Sequence, residues 1–552
     1  MSVKESEFDV EVGLVRQVVN NKGYHTKLAP GAVVHPFRES AAWSASQLAT
    51  PDGDLDNARR ALGIILSHQE TDPTRPAFGI WSYFFEESLE EMAPPDWNWA
   101  DFIGESLCKI LWLDAQRDGA LLPDDLRDAS RAALDRATRA IFRRNTQPGY
   151  TNICVLGGVV CVTAGELLGD ESLIDYGQRR LGNMYRAAEA FGVVPEYNSS
   201  VYYRVGIEAT ETALAICQNE NTRHIAEQIS RWYWGRIVHS YHPATGQWCG
   251  PHSRVYADAM REEMTQFLSL RGIGPATASN ATTPWQRPCP ADLLELVSDA
   301  ERTTVLEIPR GPTGAEHSGR HITSWMTDRR CLGSTDVEIT WTQRRPLIGY
   351  AATDKGLLIV RNRVQVNGED FASGFVRQEQ DAGTVLSAFG LVDGLGAWHP
   401  GLDRPDDGRF DLRKIAFVIE VQGTNLDVDA QQSGVVIRAG GERVEVATGR
   451  ASVDGADVAW NVESDEGVVR VIASGDVHRN GPTRLAELGP TFGVVGVTMS
   501  SDHEPAEAIP SIDVAERDHL IDATWKGLRL TSTSMLADKI DDVLQLGEAG
   551  SS

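Results

Sequence analysis

Near residue 285 the apolar period of the chain changes, and no other feature limits the possible folds as strongly. Up to about residue 270, apolar side chains recur at i, i+3 and i+4, the spacing of an amphipathic helix. DGDLDNARRALGIILSHQE, ADFIGESLCKILWLDAQ, DDLRDASRAALDRATRAIFRR, ESLIDYGQRRLGNMYRAAEAFG, TRHIAEQISRWYWGRIVHSY and REEMTQFLSL all follow it. A Pro-rich break, TTPWQRPCP (Thr282–Pro290), ends the pattern. Beyond it come short β-type runs such as DVEITWTQ, GLLIVRNRVQVNG and KIAFVIEVQG, punctuated by NG, DG and GG turns. There is no βαβ alternation, so two architectures are expected in succession. The expected boundaries are a helical domain over 1–285, a linker over 286–300 and an antiparallel β domain over 301–552.

Within the helical half, TNICVLGGVVCVTAGELLG is apolar nearly all round and is expected as an inner helix, while Leu122–Arg144 is amphipathic and is expected outside it. Gly169 and Gly192 stand where helix C-caps need a left-handed residue. Helical hairpins of this kind, over about 250 residues, build either a solenoid or a closed ring. The sequence has no fixed-period self-similarity, which favours the ring. The expected fold class is therefore multidomain α and β: an N-terminal (α/α) toroid followed by a C-terminal antiparallel, β-sandwich-like domain.

Charge and cysteine usage exclude several function classes. Lys and Arg number 52 and Asp and Glu 78, a net charge of −26. Non-specific nucleic-acid binding and anionic membrane surfaces both need cationic surface. Neither partner is expected, although a local Arg/His pocket on an acidic body can still take an anionic substrate. The seven cysteines are scattered without a CxxC pair, so neither a disulfide framework nor a metal site is expected. The Met1 end is charged throughout, unlike a secretory signal. The longest apolar stretch, Ile153 to Ala164, falls short of the ~18–20 residues of a membrane span. The expectation is a cytoplasmic protein, with its oligomeric state left open.

The segments between helices concentrate aromatic, Asn, Arg and His side chains: HPFRES, FGIWSYFFEE, PPDWNWADF, RNTQPGYTNI, VVPEYNSSVYYRVG and GQWCGPHSRVYAD. Aromatic faces cover the C–H faces of pyranose rings, and Asn and Arg bind hydroxyls and carboxylates. On this basis Arg38, Trp81, Trp97, Asn98, Glu196, Trp248 and Tyr256 are candidates for substrate binding. The candidates for chemistry are Asn152, Asn198, Tyr202, Tyr203, His252 and Arg254. A free phenol titrates near pH 10, so a tyrosine base needs a cationic neighbour, and Arg204, Arg254 and His252 are available. Asn152, at a helix start, can stabilise charge on a substrate carboxylate. Tyr203 is preferred over Tyr202 because it adjoins Arg204.

With these segments the chain resembles the superfamily of α/α-toroid polysaccharide lyases, which includes heparinase II/III-like, chondroitin/hyaluronan and oligo-alginate lyases. The resemblance implies an Asn that neutralises a uronate carboxylate, here Asn152, and a downstream Tyr acid/base, here Tyr202 or Tyr203. His or Arg would complete the site. Asn198 stands where some members have a His, which leaves the base open. A His from the β domain (His317, His321 or His399) could supply it. The implied reaction is β-elimination on an anionic oligosaccharide or polysaccharide, with no metal and no cofactor. Two alternatives remain. A glycoside hydrolase on the same toroid would pair carboxylates from among Glu196, Asp101, Glu86 and Asp258. A non-catalytic carbohydrate-binding protein would keep the aromatics and could dispense with Tyr203, Arg254 and His252.

Overall fold

The computed structural model describes residues 7–19, 23–275, 283–298, 300–504 and 508–546. The charged start Met1 to Ser6 and Thr282, the first residue of the Pro-rich break, lie outside them. About 31% of the chain is helix and 30% is strand. The helices come first: α1 (Phe37–Ala49), α2 (Leu55–Ser67), α3 (Trp99–Gln116), α4 (Asp124–Arg144), α5 (Thr151–Leu168), α6 (Glu171–Phe191), α7 (Tyr202–Ile216), α8 (Glu220–Ser240) and α9 (Glu262–Ser269). Segment HPFRES is not a loop throughout, since Phe37 to Ser40 form the first turn of α1.

The odd-numbered helices α1, α3, α5 and α7 touch in sequence as an inner row, each backed by the even helix that follows it. α5 is buried on every face up to Gly165, as its all-round apolar sequence requires. By length and composition it could cross a membrane, but 83% of it is buried inside the protein. α6 packs tightly on α5 because Gly177 lacks a side chain, and a Cβ there would sit 2.7 Å from the Gly158 carbonyl. Gly169 closes α5 in the left-handed region at φ +76°, and its N–H donates to the Gly165 carbonyl.

The second half holds two large antiparallel sheets. One runs in the order Trp460–Asp465, Val468–Asp476, Lys414–Gln422, Gly356–Val366, Leu347–Thr353, Arg330–Thr335, His321–Met326, Arg302–Glu307. The other runs Val337–Ile339, Gly374–Asp381, Thr384–Leu391, Phe492–Ser501, Glu442–Val453, Gly434–Ala439, Asp427–Gln431. Their facing side chains share one apolar cluster, in which Phe389 of one sheet stacks on Phe417 of the other at 5.6 Å.

The two halves are sewn together by the segment after α8. His252 and Arg345 exchange backbone hydrogen bonds, and the Val255 N–H donates to the Gln343 carbonyl. Asp258 on this segment accepts from Arg345 (2.6 Å) and Arg361 (2.7 Å) of the β half. Burial works against its ionisation, but the two guanidinium groups outweigh it and hold the carboxyl below its usual range.

Candidate active site

The start of α7 turns on Asn198, which lies in the left-handed region at φ +46°. Its side chain donates to the Cys249 carbonyl and accepts from Ser240 and Trp248, while its own carbonyl accepts from His252 Nδ1. Just ahead of α7, the Ser199 hydroxyl accepts from the Tyr202 N–H at 3.1 Å and donates to the Arg254 carbonyl. This bend delivers Glu196 and Tyr202 to the same place as Arg254.

Three groups converge on the Glu196 carboxylate. The Asn152 side-chain amide donates to both oxygens (2.7 and 2.8 Å), the Asn152 backbone N–H at the start of α5 donates at 2.7 Å, and Arg254 Nη1 donates at 3.2 Å. A helix start, an amide and a guanidinium together form an anion cradle. The place expected for a substrate carboxylate beside Asn152 is thus filled by the chain's own Glu196. This corrects the direct role given to Asn152, whose amide is already committed.

Arg254 in turn lies 4.4 Å over the Tyr202 ring and 5.7 Å from the Trp341 ring, with Nε donating to Gln343. The Tyr202 hydroxyl shares a 2.7 Å hydrogen bond with the hydroxyl of Tyr256, which is 44% exposed. Burial pushes the Tyr202 phenol well above its usual value despite Arg254, so it stands as a neutral donor. Tyr150 borders the group, and its hydroxyl accepts from Asn98 at 3.0 Å.

Tyr24, Trp341 and His399 close the β side. The His399 ring meets Tyr24 at 4.4 Å and Trp341 at 4.9 Å, and its Nδ1 is buried without a partner. Burial, reinforced by Arg254, holds this imidazole down to about 4, so it is neutral at pH 7. His317 and His321 are elsewhere, paired with Glu307 (2.9 Å) and Asp336 (3.5 Å).

Several expected residues do not reach the cluster. Tyr203 is 2% exposed, and its ring packs among Tyr233, Trp232 and Trp248. Adjacent residues of a helix point about 100° apart, and it is Tyr202 that faces Arg254. Arg204 pairs with Glu208 at 2.9 Å, so it is no neighbour of the Tyr203 hydroxyl. Asn198, His252 and Trp248 are buried parts of the bend. Trp81 is core, with its N–H given to the Ile65 carbonyl, and Trp97 packs against the helical core. Arg38 covers the Phe102 ring at 3.6 Å. Of the four carboxylates expected for a hydrolase, only Glu196 is at the cluster. Asp258 is held by Arg345 and Arg361, Glu86 by His35 (2.5 Å), and Asp101 is buried in α3, where burial, against Arg180, pushes its carboxyl up to about 7. Tyr24, Tyr150, Trp341 and Gln343 were missed. The last two sit in the run ITWTQ, where the turn after the strand Val337–Ile339 carries polar and aromatic side chains together.

Residues 1–292 match the sequence model of a family described as a domain of unknown function, DUF8769. No curated protein matches the chain. Among solved structures it is similar to heparinase III, at TM-score 0.43 and 10% identity over 90% of this chain and 82% of that one. It is also similar to a Streptomyces coelicolor A3 chondroitin AC lyase in complex with chondroitin sulphate, at TM-score 0.43 and 11% identity over 93% and 82%. A glycoside hydrolase aligns at TM-score 0.26 and 10% identity over 89% and 77%.

Proposed function

The chain belongs to the DUF8769 family, and we propose that it is a lyase that cleaves a uronate-containing oligosaccharide by β-elimination. We read its helical rows as an (α/α) toroid over 1–285 and its facing sheets as a β-sandwich over 301–552, joined by a linker over 286–300. The observation that carries the reading is Tyr202, its hydroxyl paired with Tyr256 and its ring under the Arg254 guanidinium, with a neutral His399 against the Trp341 ring that the same arginine approaches.

β-Elimination needs a base for the proton on C5, a donor for the departing O4 and a cation for the carboxylate that takes up charge between them. His399 removes the C5 proton. The C5 electron pair forms the C4=C5 double bond as the C4–O4 bond breaks, and Tyr202 gives its proton to O4. The imidazolium and the phenolate are then reset by proton exchange with water. Arg254 keeps one terminal nitrogen for the substrate carboxylate, because Nε and Nη1 are engaged with Gln343 and Glu196. Asn152 and Glu196 are positioning residues that aim that guanidinium.

The test is incubation with a panel of uronate oligosaccharides. Absorbance from the unsaturated uronate is expected to rise with each cleavage. New reducing ends without that absorbance would make the protein a hydrolase, and neither signal would leave a binding protein. The positioning role has its own test. Glu196→Gln is expected to lower turnover roughly 10²-fold, as a misaimed group does, and to raise KM as well because the carboxylate clamp loosens. A loss of folded protein without this kinetic change would reduce Glu196 to a structural part.

A further inference from the structure

Behind Tyr203, between α8 and the strands Arg302–Glu307 and His321–Met326, lies a narrow, partly open pocket of about 10 Å³. That volume is room for one water-sized or halide-sized occupant. Tyr203, Arg236, His239, Ser240 and Thr304 line it.

Its charge is unusual for this chain. Several sequestered arginines have acidic partners: Arg271 has Glu211 at 2.7 Å, Arg361 has Asp258 at 2.7 Å, and Arg344 has Glu338 at 2.5 Å. Arg236, partly buried on α8, makes no hydrogen bond or ion pair among the described residues, although the chain carries 78 acidic residues. Burial lowers its pKa, opposed only by Tyr203. The local field at His239 is positive. Burial, Arg236 and Arg302 together hold the His239 imidazole down to about 4. Arg302 has its own Nε buried without a partner. The Tyr203 hydroxyl accepts from the Asn198 N–H at 3.3 Å, and its proton goes to none of the described residues. The Arg236 guanidinium and the Tyr203 hydroxyl therefore line one small pocket that holds no carboxylate, and an anion there would meet two donors, one of them cationic.

We propose that this cavity binds a single monatomic anion, chloride, held by the Arg236 guanidinium and the Tyr203 hydroxyl. The small volume disfavours sulfate and phosphate. Through Tyr203 and Asn198 the anion would brace the bend that presents Glu196 and Tyr202, so its occupancy would stiffen that loop whatever the site acts on.

Thermal unfolding of the full-length protein at constant ionic strength tests this. Replacing gluconate with chloride is expected to raise the midpoint saturably by roughly 2–4 °C. Arg236→Gln should abolish the response, and Arg236→Lys should keep it at higher chloride concentration. Crystals soaked in bromide should show an anomalous peak between Arg236 and Tyr203. An absent peak, equal midpoints in both salts, or a chloride response that survives in Arg236→Gln would overturn the site. Stabilisation by sulfate as large as by chloride would overturn the monatomic ligand. If Arg236→Gln does not fold, the bromide peak and the salt comparison on the unmodified protein still decide.

Discussion

Tyr202→Phe is expected to lower turnover by roughly 10²–10⁴ with KM little changed, the signature of a lost proton donor rather than a lost binding contact. The change keeps the ring that Arg254 covers at 4.4 Å and removes only the hydroxyl paired with Tyr256. The control is Tyr203→Phe. It removes a buried hydroxyl that accepts from the Asn198 N–H, so its main cost should be stability, about 1–3 kcal/mol, with turnover near that of the unmodified protein. Steady-state kinetics on both variants, with thermal unfolding alongside, separates the two. If Tyr203→Phe instead carries the large turnover loss, the assignment of the acid moves back to Tyr203. If neither variant loses turnover, the tyrosine mechanism fails.

The second large effect is acid destabilisation centred on His252. Its Nδ1–H donates to the Asn198 carbonyl, and burial, reinforced by Arg345, lowers its pKa to about 4. The unfolded chain binds a proton at this residue near pH 6.5, whereas the folded protein does so only near pH 4. Between these values the unfolded state carries more protons, so stability falls as pH drops from 6.5 to 4 and this contribution levels off below 4. The difference corresponds to about 3 kcal/mol for a group so fully buried. His239 and His399 shift the same way and add less, since both are only half-buried. Urea unfolding at a series of pH values should show the decline. His252→Asn keeps an amide donor for the Asn198 carbonyl and should flatten the slope. An unchanged slope in that variant would remove His252 as its source.

The period change near residue 285 was enough to tell helices from strands, because side-chain period depends on local backbone geometry alone. The same locality explains why Gly169 and Gly192 were legible as helix ends and why α5 read as an inner helix. It also explains why α1 was partly missed: Phe37–Ala49 carries a weak apolar stripe and a first turn, PFRES, that reads as a loop. Aromatic-rich loops hold Tyr202, Tyr256, Glu196 and Arg254, which the structure brings together. Which member of each segment faces Arg254 is beyond local reasoning. Tyr202 and Tyr203 are equivalent as letters, and only the packing of Trp232, Tyr233 and Trp248 around one ring turns the other toward Arg254. In the same way Asn152 and Glu196, 44 positions apart, join only because α5 and the bend before α7 converge. His399 enters the cluster from a strand-to-strand loop of the other half. Pairings of this kind depend on distances that the chain closes only when both cores form, so composition and spacing along the sequence carry no trace of them.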